Sequence, residues 1–69
     1  MSVNLVKVAA YSVIRGMNTE SGREAMKEAR QSTRTEFGAL CIMARKFTPY
    51  DEIEACSEIA AEASAILSV

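Results

Sequence analysis

The chain has 69 residues, of which 49% are hydrophobic and 25% charged, and its net charge is −1. This length allows one domain at most, residues 1–69, and so short a chain buries only about 60% of its unfolded surface. Because there is no histidine, Cys41 and Cys56 cannot complete a four-ligand zinc site, so we expect neither a metal nor a cofactor. Association with a second copy is the expected source of additional stability.

The charges are divided along the chain. Eight basic and four acidic residues give positions 1–46 a net charge of +4, whereas positions 47–69 hold five acids and no base. These two parts can complement each other within the fold, complement a second copy, or attract partners of opposite charge. The longest uncharged apolar run, residues 37–44, is far shorter than the roughly 20 residues that span a bilayer. We therefore expect a cytoplasmic protein without a membrane partner.

The first predicted element is a helix over residues 3–16. Val3, Val6, Ala10 and Val13 keep helical spacing, although the valines of this segment are also compatible with a strand. Strict alternation of apolar and polar residues fails, which favours the helix. It is predicted to end near Gly16, before a polar turn.

The second predicted element is a helix over about 22–46. Ser21 and Glu24 form a capping box at its start, and apolar residues continue at helical spacing to its end. The weak stretch is 31–36, because Ser32, Thr33 and Thr35 favour caps and turns over helix interiors. Thr33 and Glu36 would form a second capping box, so a break in this stretch is the alternative.

The third predicted element is a helix over about 49–68. Thr48 would cap it, Pro49 would occupy its first position, and acids would follow in its first turn. Apolar residues then recur at helical spacing. A connection of only two residues would make 22–46 and 49–68 an antiparallel helical hairpin, in which Cys41 and Cys56 lie near each other as buried free thiols.

Two groups of residues are candidates for binding. Four basic residues would share one face of the second helix and are predicted to bind a partner, unless they form a solvated face: Arg23, Lys27, Arg30 and Arg34. The apolar segment 37–44 predicts a dimer interface or, as the alternative, a target-binding surface, because a single short chain is too small to cover it. The interface residues would be Phe37, Leu40, Cys41, Met43, Ala44 and Phe47. An acidic row on the last helix would be a solvated face or a dock for a basic target.

These elements predict an all-α protein, assembled as a dimeric helical bundle. In size and plan it resembles the plasmid-encoded Rop family of dimeric helical hairpins that bind RNA, but no motif carries that family's RNA-contacting residues onto this chain. The chain has no glycine-rich phosphate loop, nucleophile elbow or Cys–His pair, so we expect no enzyme.

The predicted function is a small regulatory protein, of phage or mobile-element origin, that binds and inhibits a larger host protein. The alternative is a nucleic-acid-binding adaptor that uses the basic residues of the second helix, although a pI near 5.3 argues against it. A small ligand held at the dimer interface is a third option.

Overall fold

The computed structural model describes residues 2–69, which form four α-helices and, within that range, no strand. Helix α1 is Val3–Met17, α2 is Glu20–Ser32, α3 is Glu36–Phe47 and α4 is Ile53–Leu67. The all-α class is confirmed, and so is a helix rather than a strand at the start of the chain. α1 extends one residue past the predicted end at position 16.

The predicted long helix over 22–46 is wrong, because the chain breaks it into α2 and α3. Thr33 and Thr35 both adopt extended backbone conformations. The Thr33 hydroxyl donates a hydrogen bond to the Thr35 carbonyl at 3.0 Å, and the Thr35 hydroxyl oxygen accepts one from the Gly38 N–H at 3.0 Å. Hydroxyl side chains therefore end one helix and cap the next, as the alternative of a break at 31–36 predicts, although Thr35 rather than Thr33 is the cap.

The start of α2 also differs from the prediction. Its N-cap is Thr19, whose hydroxyl oxygen accepts a hydrogen bond from the Gly22 N–H at 3.0 Å, while Ser21 lies inside the helix. Gly22 lies directly against the last turn of α1, because a Cβ at this position would overlap the Gly16 carbonyl oxygen. Only glycine allows the two backbones to approach this closely.

The predicted helix over 49–68 begins later than expected, at Ile53. Thr48 does not cap it. The Thr48 hydroxyl donates backward to the Ala44 carbonyl at 2.6 Å and ends α3, and the same hydroxyl oxygen accepts a hydrogen bond from the Tyr50 N–H at 3.3 Å. Residues 48–52 therefore form a connection, and Tyr50 packs against the core from it.

The core is formed by all four helices. α1 and α3 each pack against every other helix, whereas α2 and α4 do not contact each other. The largest fully buried side chains are Leu40, Met43, Ile59 and Val13, which come from α1, α3 and α4. α2 contributes Met26 and two alanines. α2 and α4 thus lie on opposite sides of the α1–α3 pair, and their charged residues belong to different parts of the surface.

Candidate functional site

The predicted basic stripe is not one continuous face. Arg34 lies in the break between α2 and α3, so it is not in register with the three basic residues on α2. The Arg30 guanidinium binds a Glu36 carboxylate oxygen, with nitrogen–oxygen distances of 3.0 and 3.1 Å. Arg23 donates to the Asn18 carbonyl at 2.9 Å. Arg23 and Arg30 therefore have partners within the chain. Lys27 and Arg34 are exposed, and neither makes a hydrogen bond or ion pair with another described residue.

The apolar segment 37–44, predicted as a dimer interface, is largely covered by helices of the same chain. Leu40 is only 1% exposed, and Met43 and Ala44 are fully buried, so one chain covers them with its own helices. The break at 33–35 makes this possible, because it folds α2 back onto α3. Phe47 packs half-buried against the core, and its ring lies against Gly16, where a Cβ would come within 2.6 Å of a ring carbon.

Of the six predicted interface residues, Phe37 remains exposed and Cys41 remains partly exposed. The other four belong wholly or mainly to the core of the single chain. The apolar surface that residues 37–47 leave exposed comes mainly from Phe37, at 44% exposure, and Ile42, at 36%.

The two cysteines are free and differ in exposure. Cys56 is buried and Cys41 only partly so. The Cys56 thiol donates to the Tyr50 carbonyl at 3.4 Å. Burial raises the pKa of the Cys56 thiol, with Cys41 and Asp51 adding to the increase and Arg45 opposing it. A buried thiol with a raised pKa is a poor nucleophile, which fits a packing role for Cys56.

An apolar groove lies between α1 and the connection 48–52. Leu5, Val8, Ala9 and Ser12 line one side, and Thr48, Pro49 and Tyr50 line the other. Leu5 is 50% and Val8 61% exposed. The groove has a volume of about 230 Å³, below the range of roughly 300–1,000 Å³ that is typical of small-molecule sites. It has room for an apolar side chain of a partner rather than for a whole organic ligand.

This groove was not predicted from the sequence. The α1 side of the groove contains apolar residues that lie outside the helical stripe packed into the core. This excess of apolar residues was the sequence signal that could have indicated the groove. Its other side depends on residues 48–50 forming a connection, whereas the capping pattern assigned Pro49 and Tyr50 to a helix.

A second surface lies along α4. Five acids, Asp51, Glu52, Glu54, Glu58 and Glu62, lie in or just before this helix, and no basic residue lies between positions 47 and 69. A second groove, of about 330 Å³, separates α4 from α1 and is lined by Val3, Val6, Glu58, Ala61 and Glu62. α1 itself carries Lys7 and Arg15 and no acid. Adjacent helices therefore present surfaces of opposite charge.

Comparison with known proteins gave no match to a protein-family model, to a curated protein or to a solved structure. None of the helices in residues 2–69 combines the length and apolarity needed to cross a bilayer. Within the same residues, cysteine and acidic side chains do not come together in a group of three that could hold a metal ion.

Proposed function

We propose that this chain is a small regulatory binding protein, acting in a reducing cytoplasm, that docks on a larger host protein through the α1 groove and inhibits it. The observation that carries this proposal is the exposure of Leu5 and Val8 beside Pro49 and Tyr50. An apolar patch that a small protein leaves open is typical of an interaction site. The absence of recognisable catalytic motifs in its sequence supports binding rather than chemistry.

The groove has the size and apolar lining of a pocket for a single apolar side chain of a partner, the anchor residue. Apolar anchors that fill well-packed pockets contribute most of the binding energy at protein interfaces. Its two walls come from different elements, and Tyr50 is fixed against the core. A wall fixed by the core does not have to be ordered on binding, which lowers the entropy cost of association.

The nucleic-acid alternative has less support. A row of phosphate contacts requires basic side chains that are available in register, and the break at 33–35 removes Arg34 from that row. The contacts of Arg23 and Arg30 within the chain reduce the row further.

The test is capture of partners from the native host by tagged protein, with identification of what is retained. Val8→Glu puts a charge into the groove, and Leu67→Glu makes the same kind of change at an exposed apolar residue near the end of α4. We expect a defined host protein to be retained by the wild type and by Leu67→Glu and to be lost with Val8→Glu.

A parallel sample treated with RNase and at high salt separates the two functions. Capture through the apolar groove should persist, whereas a nucleic-acid contact should weaken steeply as salt rises. Equal capture by all three proteins, or capture abolished by RNase, would contradict the proposal.

A further inference from the structure

The outer side of α1 carries a row of residues that the fold does not use. Val3, Lys7, Tyr11 and Arg15 are four residues apart, so they form one line along the helix surface. All four side chains are exposed, Val3 and Tyr11 by more than half. The row alternates apolar and basic side chains. Val3 lies at the groove toward α4, whereas Lys7, Tyr11 and Arg15 point away from the buried residues Ala9 and Val13.

The outer side of α4 carries two matching rows. One consists of small or apolar residues four apart: Ile53, Ser57, Ala61 and Ala65. Ile53, at 85% exposure, is among the most exposed large apolar side chains of the described chain. The row beside it is acidic and runs from Glu54 to Glu62. Small side chains in the first row leave room for the larger side chains of another helix.

The basic residues of α1 and the acidic residues of α4 have the same spacing along their helices. Lys7 and Arg15 are eight residues apart, as are Glu54 and Glu62. At a rise of 1.5 Å per residue, each pair spans about 12 Å along its helix. An α1 row placed against an α4 surface can therefore bring both basic side chains near acids at once, while Val3 and Tyr11 meet the small residues.

Within one chain, Val3 of the α1 row already lies beside Ala61 and Glu62, whereas Lys7, Tyr11 and Arg15 face outward and are left for a second copy. α1 and α4 are already packed through their inner sides, and the groove lined by Val3, Val6, Ala61 and Glu62 opens between them. A twofold axis would place α1 of each copy on α4 of the other, so that every contact forms twice. Two copies of α1 would not pair as well, since each carries two positive charges and no acid.

We infer that the chain forms a twofold-symmetric homodimer in which the Val3–Lys7–Tyr11–Arg15 row of one copy packs on the acidic and small-residue surface of α4 in the partner. This interface is different from the predicted one at residues 37–47. It also gives the division of charge along the sequence a physical role, because the basic and acidic parts complement each other between copies. The inference does not rest on the proposed host protein, since the purified chain alone tests it.

The experiment is sedimentation equilibrium of the purified chain and of charge-reversed variants. One variant combines Lys7→Glu with Arg15→Glu, and the other combines Glu54→Lys with Glu62→Lys. A control, Lys27→Glu with Arg34→Glu, makes the same change in net charge as the first variant, at exposed residues outside the proposed interface. Circular dichroism checks that each variant keeps its helices.

We expect the wild type and the control to dimerise and each interface variant to lose about tenfold or more in dimer affinity, because like charges then face each other. Mixing the two interface variants should restore a dimer of mixed composition, since acidic α1 then meets basic α4 in both contacts. Raising salt should weaken the wild-type dimer by screening these pairs.

Three results would overturn the inference. The first is a wild-type chain that stays monomeric at about 100 μM, a concentration at which even weak specific dimers are populated. The second is a mixture of folded variants that fails to associate. The third is a control that loses affinity as much as the interface variants do.

Discussion

Helices α1 and α3 are both rich in apolar residues and each buries four of them, yet α1 leaves more large apolar side chains exposed. α3 places Ala39, Leu40, Met43 and Ala44 in the core of a single chain. α1 buries one side and leaves Leu5, Val8 and Tyr11 exposed on the other. An apolar helix is thus not by itself a sign of association. What decides is whether the same chain has another helix to cover it, and the break at 33–35 provides that helix for α3.

The largest expected difference between the two helices is the loss of stability when one side chain in each is shortened. Leu40→Ala should lower the free energy of unfolding by about 2–5 kcal/mol, because it leaves a cavity in a packed core. Val8→Ala should change it by no more than about 0.5 kcal/mol, since Val8 is largely exposed. Urea denaturation of both variants, at a concentration where each is monomeric, measures the difference. Similar losses of unfolding free energy in the two variants would show that Leu40 on α3 is no more deeply packed than Val8 on α1.

The next effect concerns the close approach of α2 to α1. Gly22→Ala should lower the free energy of unfolding by about 1–3 kcal/mol, as overpacked substitutions do. Its Cβ would overlap the Gly16 carbonyl oxygen, and backbone cannot move aside as a flexible side chain can.

The matched control is Gly38→Ala, whose Cβ would come no closer than 3.1 Å to Thr33 side-chain atoms. We expect a smaller change for Gly38→Ala, because alanine favours helix more than glycine does and offsets the tighter contact. Thermal melts of the two variants make the comparison. A Gly22→Ala protein as stable as the wild type would refute the close approach.

The sequence predicted three helices where the described residues form four, and the misplaced helix ends have identifiable causes. Periodicity was enough for α1 and for the body of α4. The break at 33–35 was visible in three hydroxyl residues, but a continuous apolar pattern on both sides of it outweighed them. Local signals also misplaced Thr48, whose hydroxyl can cap a following helix or end a preceding one. Packing of Tyr50 against the core decides between these options, and that contact is not local in sequence.

The candidate sites were harder to predict than the fold. The basic stripe depended on an unbroken helix, so it lost Arg34 when the helix broke. The acidic surface of α4 depended only on composition and spacing within one helix, and it is present. Predictions that need only a short stretch of helix therefore agree with the structure better than those that need a long helix to be continuous.

The reactivities of the two cysteine thiols compare a partly exposed position with a buried one. At neutral pH and under native conditions, Cys41 should react with a thiol reagent at least about tenfold faster than Cys56. Cys41 is partly exposed, while burial of Cys56 restricts access and raises its pKa, so less thiolate is present. Mass spectrometry of partly labelled protein assigns the sites. Equal native rates, with neither accelerated by denaturant, would contradict the buried position of Cys56.

A small effect is expected at the junction between α2 and α3. Glu36→Gln removes the ion pair with Arg30 and should cost no more than about 1 kcal/mol, because both side chains are solvated, at 57% and 60% exposure. Lys27→Glu should be smaller still. A denaturation midpoint that falls as far for Glu36→Gln as for Leu40→Ala would mean that charge, rather than core packing, holds α2 on α3.

The most direct test of this account is the solvent exposure of methyl groups in the monomer, measured by NMR with a soluble paramagnetic probe. In dilute protein, we predict that the methyl signals of Leu5 and Val8 broaden strongly while those of Leu40 and Met43 remain sharp. Raising the protein concentration should then protect Val3, on the proposed α1–α4 interface, and leave Leu40 and Met43 unchanged. Strong broadening of Leu40 and Met43 in dilute protein, lost on association, would instead place the interface on α3 and contradict the account.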